Sequence, residues 1–245
     1  MSDVVNITDN IARVQDNIAD ACSRANRNKN DVTLVAVSKK HSVESIVTAM
    51  ESGLTHFGEN RVDEAQAKVP AINQQVDNTP TWHFIGHIQS RQASDVTPLF
   101  QVVHSIDRMK IARKLSALGQ EQAKPLSAMI EINISGETAK YGFDAFNWKT
   151  DALVKRNLWQ AISDIMVLPS LNVCGLMTMA PFYDNMEDTR PVFAGLAELR
   201  DELQSSLKIA LPDLSMGMTN DYPVAIEEGA TIVRVGRAIF DTPNT

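Results

Sequence analysis

Lys39 and Lys40 follow the run "TLVAV" of residues 33–37, where β-branched and apolar side chains give way to Ser38 and two ammonium groups. Lysine is almost never fully buried unless paired, so these amines either reach water or serve chemistry. Side chains alternate along a strand. If Val35 and Val37 point into a core, Lys39 follows them and Lys40 faces the other way, to solvent. Two uses suit an inward lysine. It can pair with a carboxylate, Glu59 or Glu131, or it can act as an amine nucleophile on a carbonyl carbon. The second use needs desolvation or a nearby positive charge such as Arg234 to release the proton.

The end of the chain sharpens the choice. In "LSMGMTNDYPVAIEEG", Ser215 precedes a Gly217-Met218-Thr219 turn at the start of a helix. In "TIVRVGRAIF", Gly236 and Arg237 open another turn. Backbone N–H groups at helix starts, with a hydroxyl and a guanidinium beside them, make an anion site; ordinary loop glycines are the alternative. An amine opposite such a cradle fits a sugar phosphate held by a Schiff-base aldolase, or pyridoxal 5′-phosphate. Arg234 lies two residues before Gly236, on the same side of a strand, where it could donate to a pyridine nitrogen. A permanently charged donor there disfavours protonation of the ring and weakens it as an electron sink. That suits a racemase with strong bases elsewhere, or a carrier that does little chemistry.

The elements that must position these groups alternate. Strand patterns cover Thr33–Val37, Thr55–Phe57, Trp82–Ile85, Val102–Ser105, Ser127–Ile134, Val173–Thr178, Leu214–Met216 and Thr231–Arg234. Helical patterns lie near 43–52, 61–69, 89–96, 107–119, 148–167, 187–207 and 222–228, and an amphipathic helix precedes them in "DNIARVQDNIADACSRANR". Such alternation implies parallel strands with right-handed crossovers, and eight units suit an α/β fold of the (β/α)8 TIM-barrel kind. An open doubly wound sheet is the alternative, weakened by the lack of a GxGxxG after any strand. Barrel sites lie at the C-terminal strand ends, which are Lys39, Asn60, His87, Ser105, Asn133–Ser135, Met177–Met179, Gly217–Thr219 and Arg234–Gly236. The long irregular stretch 135–148 adjoins them.

With 245 residues, 44% of them apolar, the chain is expected to form one domain over 1–245, with the helix of 1–30 packed on the barrel. A net charge of −7 without a basic stripe argues against nucleic acid or an anionic membrane as partner. The first ten residues lack the pattern of a signal peptide, and no apolar run is long enough to span a membrane, so a cytoplasmic location is expected. Cys22 and Cys174 read as small buried hydrophobes, and Trp82, Trp148 and Trp159 as packing. His83 and His87 resemble a His-x3-His metal pair, but four strand residues span roughly 13 Å, so no metal is expected.

The segments "LVAVSKKHS", "HFGENRVDE", "WHFIGHIQSRQ", "VHSID", "INISGETAKYGF", "GLMTMAP", "LSMGMTND" and "VRVGRAIF", in this order, resemble the YggS/PROSC family of pyridoxal phosphate homeostasis proteins from about residue 31 to 240. That family resembles the barrel domain of alanine racemase, the fold-type III architecture. The resemblance implies pyridoxal 5′-phosphate as cofactor, held by Lys39 as an internal aldimine, with Asn60 near the ring and Arg234 facing its nitrogen. It also implies Ser215, Met218, Thr219, Gly236 and Arg237 around the phosphate. Arg61 and Arg237 depart from the residues usual in relatives, a tyrosine and a threonine. The expected function is intracellular buffering and delivery of the cofactor, with apoenzymes as recipients and little catalysis. A weak amino-acid racemase is the second reading and a Schiff-base aldolase the third. Racemases of this kind take a second acid–base tyrosine from a further domain, and the chain ends five residues after Phe240, so a monomer is expected. The tail, 241–245, carries no motif.

Overall fold

The protein is described by a computed structural model that covers residues 6–242. The expectations for the first five residues and for 243–245 of the tail lie outside the described residues.

Helix α1 (Ile7–Arg24) starts at Asn6, whose side chain accepts from the Asp9 N–H. Its apolar stripe, Ile11, Val14, Ile18, Ala21 and Cys22, is buried against α2 (Val43–Glu51), α8 (Tyr222–Glu227) and α9 (Arg237–Phe240). Asn10 fastens this packing by donating to the Ile239 carbonyl at 3.0 Å.

The strands follow: β1 (Thr33–Val37), β2 (His56–Glu59), β3 (Thr81–Phe84), β4 (Val102–Ile106), β5 (Leu126–Asn133), β6 (Phe143–Asp144), β7 (Leu171–Met177), β8 (Asp213–Ser215) and β9 (Ile232–Val235). Between them run α3 (Val62–Asn73), α4 (Ala93–Leu99), α5 (Met109–Glu121), α6 (Ala152–Met166) and α7 (Arg190–Leu207). All pairings are parallel, in the order β4-β3-β2-β1-β9-β8-β7-β5, and a β4–β5 pairing closes the ring. The fold is therefore a TIM barrel, and the open sheet is excluded. β6 is an addition: it pairs with β5 outside the ring, inside the stretch expected to be irregular. Helix α4 starts at Ala93 and α6 at Ala152, later than the sequence patterns suggest, after a 3-10 turn at Ser90–Gln92 and the Asp151 cap.

Two cores result. Outward strand residues such as Ala36, Phe57, Trp82, Phe84 and Val103 pack under the helices, each large side chain contributing about 1.5–3 kcal/mol. The inside of the barrel holds a smaller apolar cluster, Val35, Met129, Met177 and Ile232, with Val102, Cys174 and Met179 against it. The rest of the interior is polar, with His83, His104, Ser215, Glu131 and Arg234 all buried. Barrel interiors are ordinarily filled by branched apolar residues, so this one is built for something other than packing. Both cysteines are free, Cys22 buried and Cys174 half-buried, and Trp148 and Trp159 pack on each other at 5.7 Å.

Candidate cofactor site at the mouth of the barrel

Strand β1 lies between β2 and β9, and β9 pairs with β8, so the C-terminal ends of these four strands form one arc. Lys39 stands at the end of β1. It is an exposed turn residue two positions past Val37, and below it Val35 belongs to the inner cluster and lies in register with Arg234 on β9. Ser38 has the opposite parity and gives its hydroxyl to Glu59 Oε1 at 2.7 Å, in the outer wall. Lys40 is exposed, adopts a left-handed φ of 66° and gives its backbone N–H to Glu64 Oε2 at 3.3 Å. The amine of Lys39 is solvent-accessible and bonds to none of the described residues. The ion-pair alternative fails. Glu59 is taken by Lys68 at 2.9 Å, and Glu131 makes no contact with Lys39.

Asn60, beyond β2, is half-buried with its side chain unbonded among the described residues. Gly86 makes room there, since a Cβ would stand 2.1 Å from the Asn60 carbonyl oxygen. Arg61 is drawn aside by Asp63, at 2.6 Å, and by Glu64 in the first turn of α3.

On the other flank, Arg234 is buried inside the barrel. Its Nη1 donates to Ser215 Oγ at 2.5 Å and its Nη2 to the Thr178 carbonyl at 3.0 Å. Burial pushes its pKa down to about 10, against the pull of Asp221 and Glu131, so it stays cationic at neutral pH. A guanidinium has five N–H donors, so three remain for a ligand. Ser215, expected near the phosphate, is fully buried and has its hydroxyl committed to Arg234 and to His104 Nδ1, the latter at 2.8 Å.

The last two turns carry unpaired backbone donors. Gly217 adopts φ +91° and packs so tightly that a Cβ would meet Ala225 Cβ at 2.6 Å. Asp221 caps this turn by accepting the Met218 N–H at 2.6 Å. The N–H groups of Thr219 and Asn220 find no acceptor among the described residues, and neither do those of Arg237 and Ala238. Gly236 brings the second turn against β1, where a Cβ would lie 3.0 Å from the Val37 carbonyl oxygen. The Arg237 side chain is exposed and reaches Asn220 Oδ1 at 3.3 Å, so both turns meet. Met218 is exposed and Thr219 half-exposed beside them. A cleft of about 290 Å³ opens here between α1 and these turns, lined by Arg13, Asn17, Thr219, Asn220 and Arg237.

The long stretch after β5 folds over the mouth. Lys140 donates to the Met179 carbonyl at 2.9 Å, and the Tyr141 ring lies on His87 at 3.8 Å. His87 Nδ1 is 3.0 Å from Asp107 Oδ2, near enough for ionic attraction but misaligned for a hydrogen bond. Sequence reasoning gave Glu131 only as a partner for Lys39. It lies inside the barrel, where burial and the charge of Asp107 raise its pKa to about 7. It also missed His56 and His104, whose signal was a histidine at the inner parity of otherwise apolar strands. Among the described residues no cluster of His, Cys, Asp and Glu is arranged to hold a metal ion, and no helix is long and apolar enough to cross a membrane.

A primary amine, a buried cation with spare donors and a row of free amides, one glycine-close step apart, suit a molecule with a carbonyl, a ring acceptor and a phosphate. The donor set and the two crowded glycines fit pyridoxal 5′-phosphate. The comparisons with known proteins agree. The alanine racemase N-terminal domain family matches residues 10–243. A pyridoxal phosphate homeostasis protein of Aquifex aeolicus is 38% identical over 236 residues, 96% of this chain and 98% of its own. The structure of PipY of Synechococcus elongatus with PLP bound superposes with a TM-score of 0.79 at 30% identity, covering 96% of this chain and 100% of that one. An alanine racemase of Clostridium difficile, 12% identical, shares the fold with a TM-score of 0.67 over 96% of this chain and 57% of its own. The chain belongs to the family of the pyridoxal phosphate homeostasis proteins, within the alanine racemase N-terminal-domain fold.

Proposed function

We propose that this protein binds pyridoxal 5′-phosphate covalently through Lys39 and holds it for delivery to apoenzymes inside the cell, as a monomer, with little catalysis of its own. The observation that carries the reading is the arc from Lys39 to the Gly217 and Gly236 turns, with Arg234 buried between them. When bound, the cofactor supplies an aldehyde that a primary amine can join and a ring that can accept electrons. The residues of this chain do the rest. Lys39 offers the amine at the top of the inner wall. Asn60 flanks it on the β2 side. Arg234 would offer its spare N–H groups to the ring nitrogen, where a permanently charged donor would disfavour protonation. The amides of Thr219, Asn220, Arg237 and Ala238 would hold the phosphate, with the Thr219 hydroxyl and the Arg237 and Met218 side chains around them.

The low catalysis of this proposal is supported by the placement of two tyrosines among the described residues. A racemase needs a second acid–base across from the lysine. Tyr222 accepts from Asn17 on the outer side at 3.0 Å, and the Tyr141 ring is stacked on His87. The test is borohydride reduction of the loaded protein followed by peptide mapping. A pyridoxyl adduct on Lys39, lost in Lys39→Ala, is expected. An adduct on Lys40, or a protein that stays colourless in excess cofactor, overturns the reading.

A further inference from the structure

Four hydrogen bonds run in series through the barrel interior. His56 Nδ1 lies 2.9 Å from His83 Nε2, and His83 Nδ1 lies 2.8 Å from His104 Nε2. His104 Nδ1 lies 2.8 Å from Ser215 Oγ, which accepts from Arg234 Nη1. His56 is the first residue of β2, half-buried at the N-terminal end of the barrel. The chain therefore links that end to the guanidinium under the mouth. None of these bonds is needed to hold Lys39 or the phosphate turns, and the functional reading above uses only the last.

The direction of the chain follows from its Arg234 end. A guanidinium can only donate. Ser215 Oγ accepts from it and has one proton to give, and the acceptor in reach is His104 Nδ1. A neutral His104 then carries its proton on Nε2 and donates to His83 Nδ1. His83 in turn carries Nε2–H and donates to His56 Nδ1. Every buried group in the series is satisfied, and the Nε2–H of half-buried His56 is left at the N-terminal end. The reverse polarity makes Ser215 accept twice and leaves its hydroxyl proton without a partner in a site fully closed to water. Burial favours the neutral imidazoles this requires: it lowers the pKa of His83 to about 3, and those of His56 and His104 also fall.

We propose that His104, His83 and His56 are positioning residues: a one-way hydrogen-bond relay that fixes Ser215, and through it the guanidinium of Arg234, and so tunes the electronic state of a ring bound against Arg234. The tuning rests on the cofactor reading above; the polarity of the relay does not. Bonds in such a series polarise one another, so a change at His83, which touches neither Ser215 nor Arg234, is felt at the ring.

Two measurements test this. Two-bond ¹⁵N spectra of the cofactor-free protein with labelled histidine read the tautomers. His83 and His104 both as Nε2–H support the relay, and Nδ1–H on either overturns it. The second measurement is the pH midpoint of the visible band in the loaded protein. His83→Leu is expected to shift it by roughly half a unit. His83→Asn, whose Oδ1 can take the place of Nδ1 as acceptor, is expected to restore it. A coloured His83→Leu protein with the wild-type midpoint overturns the tuning role. A wild-type protein that takes no colour overturns the cofactor reading instead, and the tautomers, which need no substitution, still decide the relay.

Discussion

Lys68 Nζ lies 2.9 Å from Glu59 Oε1 in the outer wall of the barrel, and this pair leaves Lys39 without a carboxylate. Glu59 is fully buried, accepts also from the Ser38 hydroxyl and has its second oxygen unpartnered. Lys68 further donates to the Ser38 carbonyl at 3.0 Å, so the pair clamps the turn that carries Lys39. Removing one partner of a buried pair strands the other charge, which typically costs about 3–5 kcal/mol. Lys68→Met is expected to lower the unfolding free energy measured in urea by such an amount, and the double variant Lys68→Met/Glu59→Gln to recover part of it. A single variant as stable as the wild type would show that water already screens Glu59.

The Gly217 turn, which the proposed function assigns to the phosphate, makes a separate prediction. Gly217 combines φ +91° with a Tyr222 Cα only 2.9 Å from where a Cβ would stand. Gly217→Ala must strain or shift the turn, at about 1–3 kcal/mol. The movement displaces the Thr219 and Asn220 amides. Retention of pyridoxal 5′-phosphate is expected to fall, while pyridoxal, which has no phosphate, binds as to the wild type. Equal losses for both ligands would separate this turn from the phosphate.

Much of this was legible in the sequence, for local reasons. Runs such as "TLVAV" and "VVHSI" declare strands because β-branched and apolar residues fill them without a break. Parity with Val35 gives Lys39 an inward side, but the strand ends at Val37 and Lys39 lies in an exposed turn, where strand alternation no longer applies. The same parity argument puts Glu59 with Phe57, under the helices, so its pairing with Lys68 could have been foreseen. β6 could not, since two residues of backbone pairing leave no pattern. The inner chain was hidden for another reason. His56 and His83 meet through the pairing of β2 with β3, whereas His104 and Ser215 are 111 residues apart on strands that do not pair, so closure of the barrel brings those two together.

The covering stretch is anchored by β6 and by Ala145 and Trp148 in the core, while its tip meets the rest of the mouth at Lys140 and Tyr141. Besides Lys140 on Met179, the Tyr141 ring is stacked on His87 at 3.8 Å and 22°. A stacked pair contributes about 0.5–1.5 kcal/mol. Tyr141→Ala is expected to speed loss of the cofactor to a trapping apoenzyme up to roughly tenfold, a factor corresponding to about 1.4 kcal/mol. The Lys39 adduct after reduction should not change. Unaltered transfer kinetics would mean that release does not require this stretch to lift.

Glu131 gives the protein a pH dependence of definite sign. Its carboxyl titrates at about 7 when folded, chiefly because it is buried, against the ordinary 4.5. Between these values the native state keeps a proton that the unfolded chain has lost, so stability declines as pH rises through this window. Above pH 7 the buried charge costs about 3 kcal/mol. Glu131→Gln removes the titration while keeping the shape. In cofactor-free protein it is expected to match the wild type in stability near pH 4.5 and to exceed it increasingly up to pH 8, by urea denaturation at each pH. The comparison is between two proteins that share His83 and His104, so the acid-side effect of those imidazoles cancels to first order. A gap that does not widen with pH would mean that Arg234 already compensates the Glu131 charge in full.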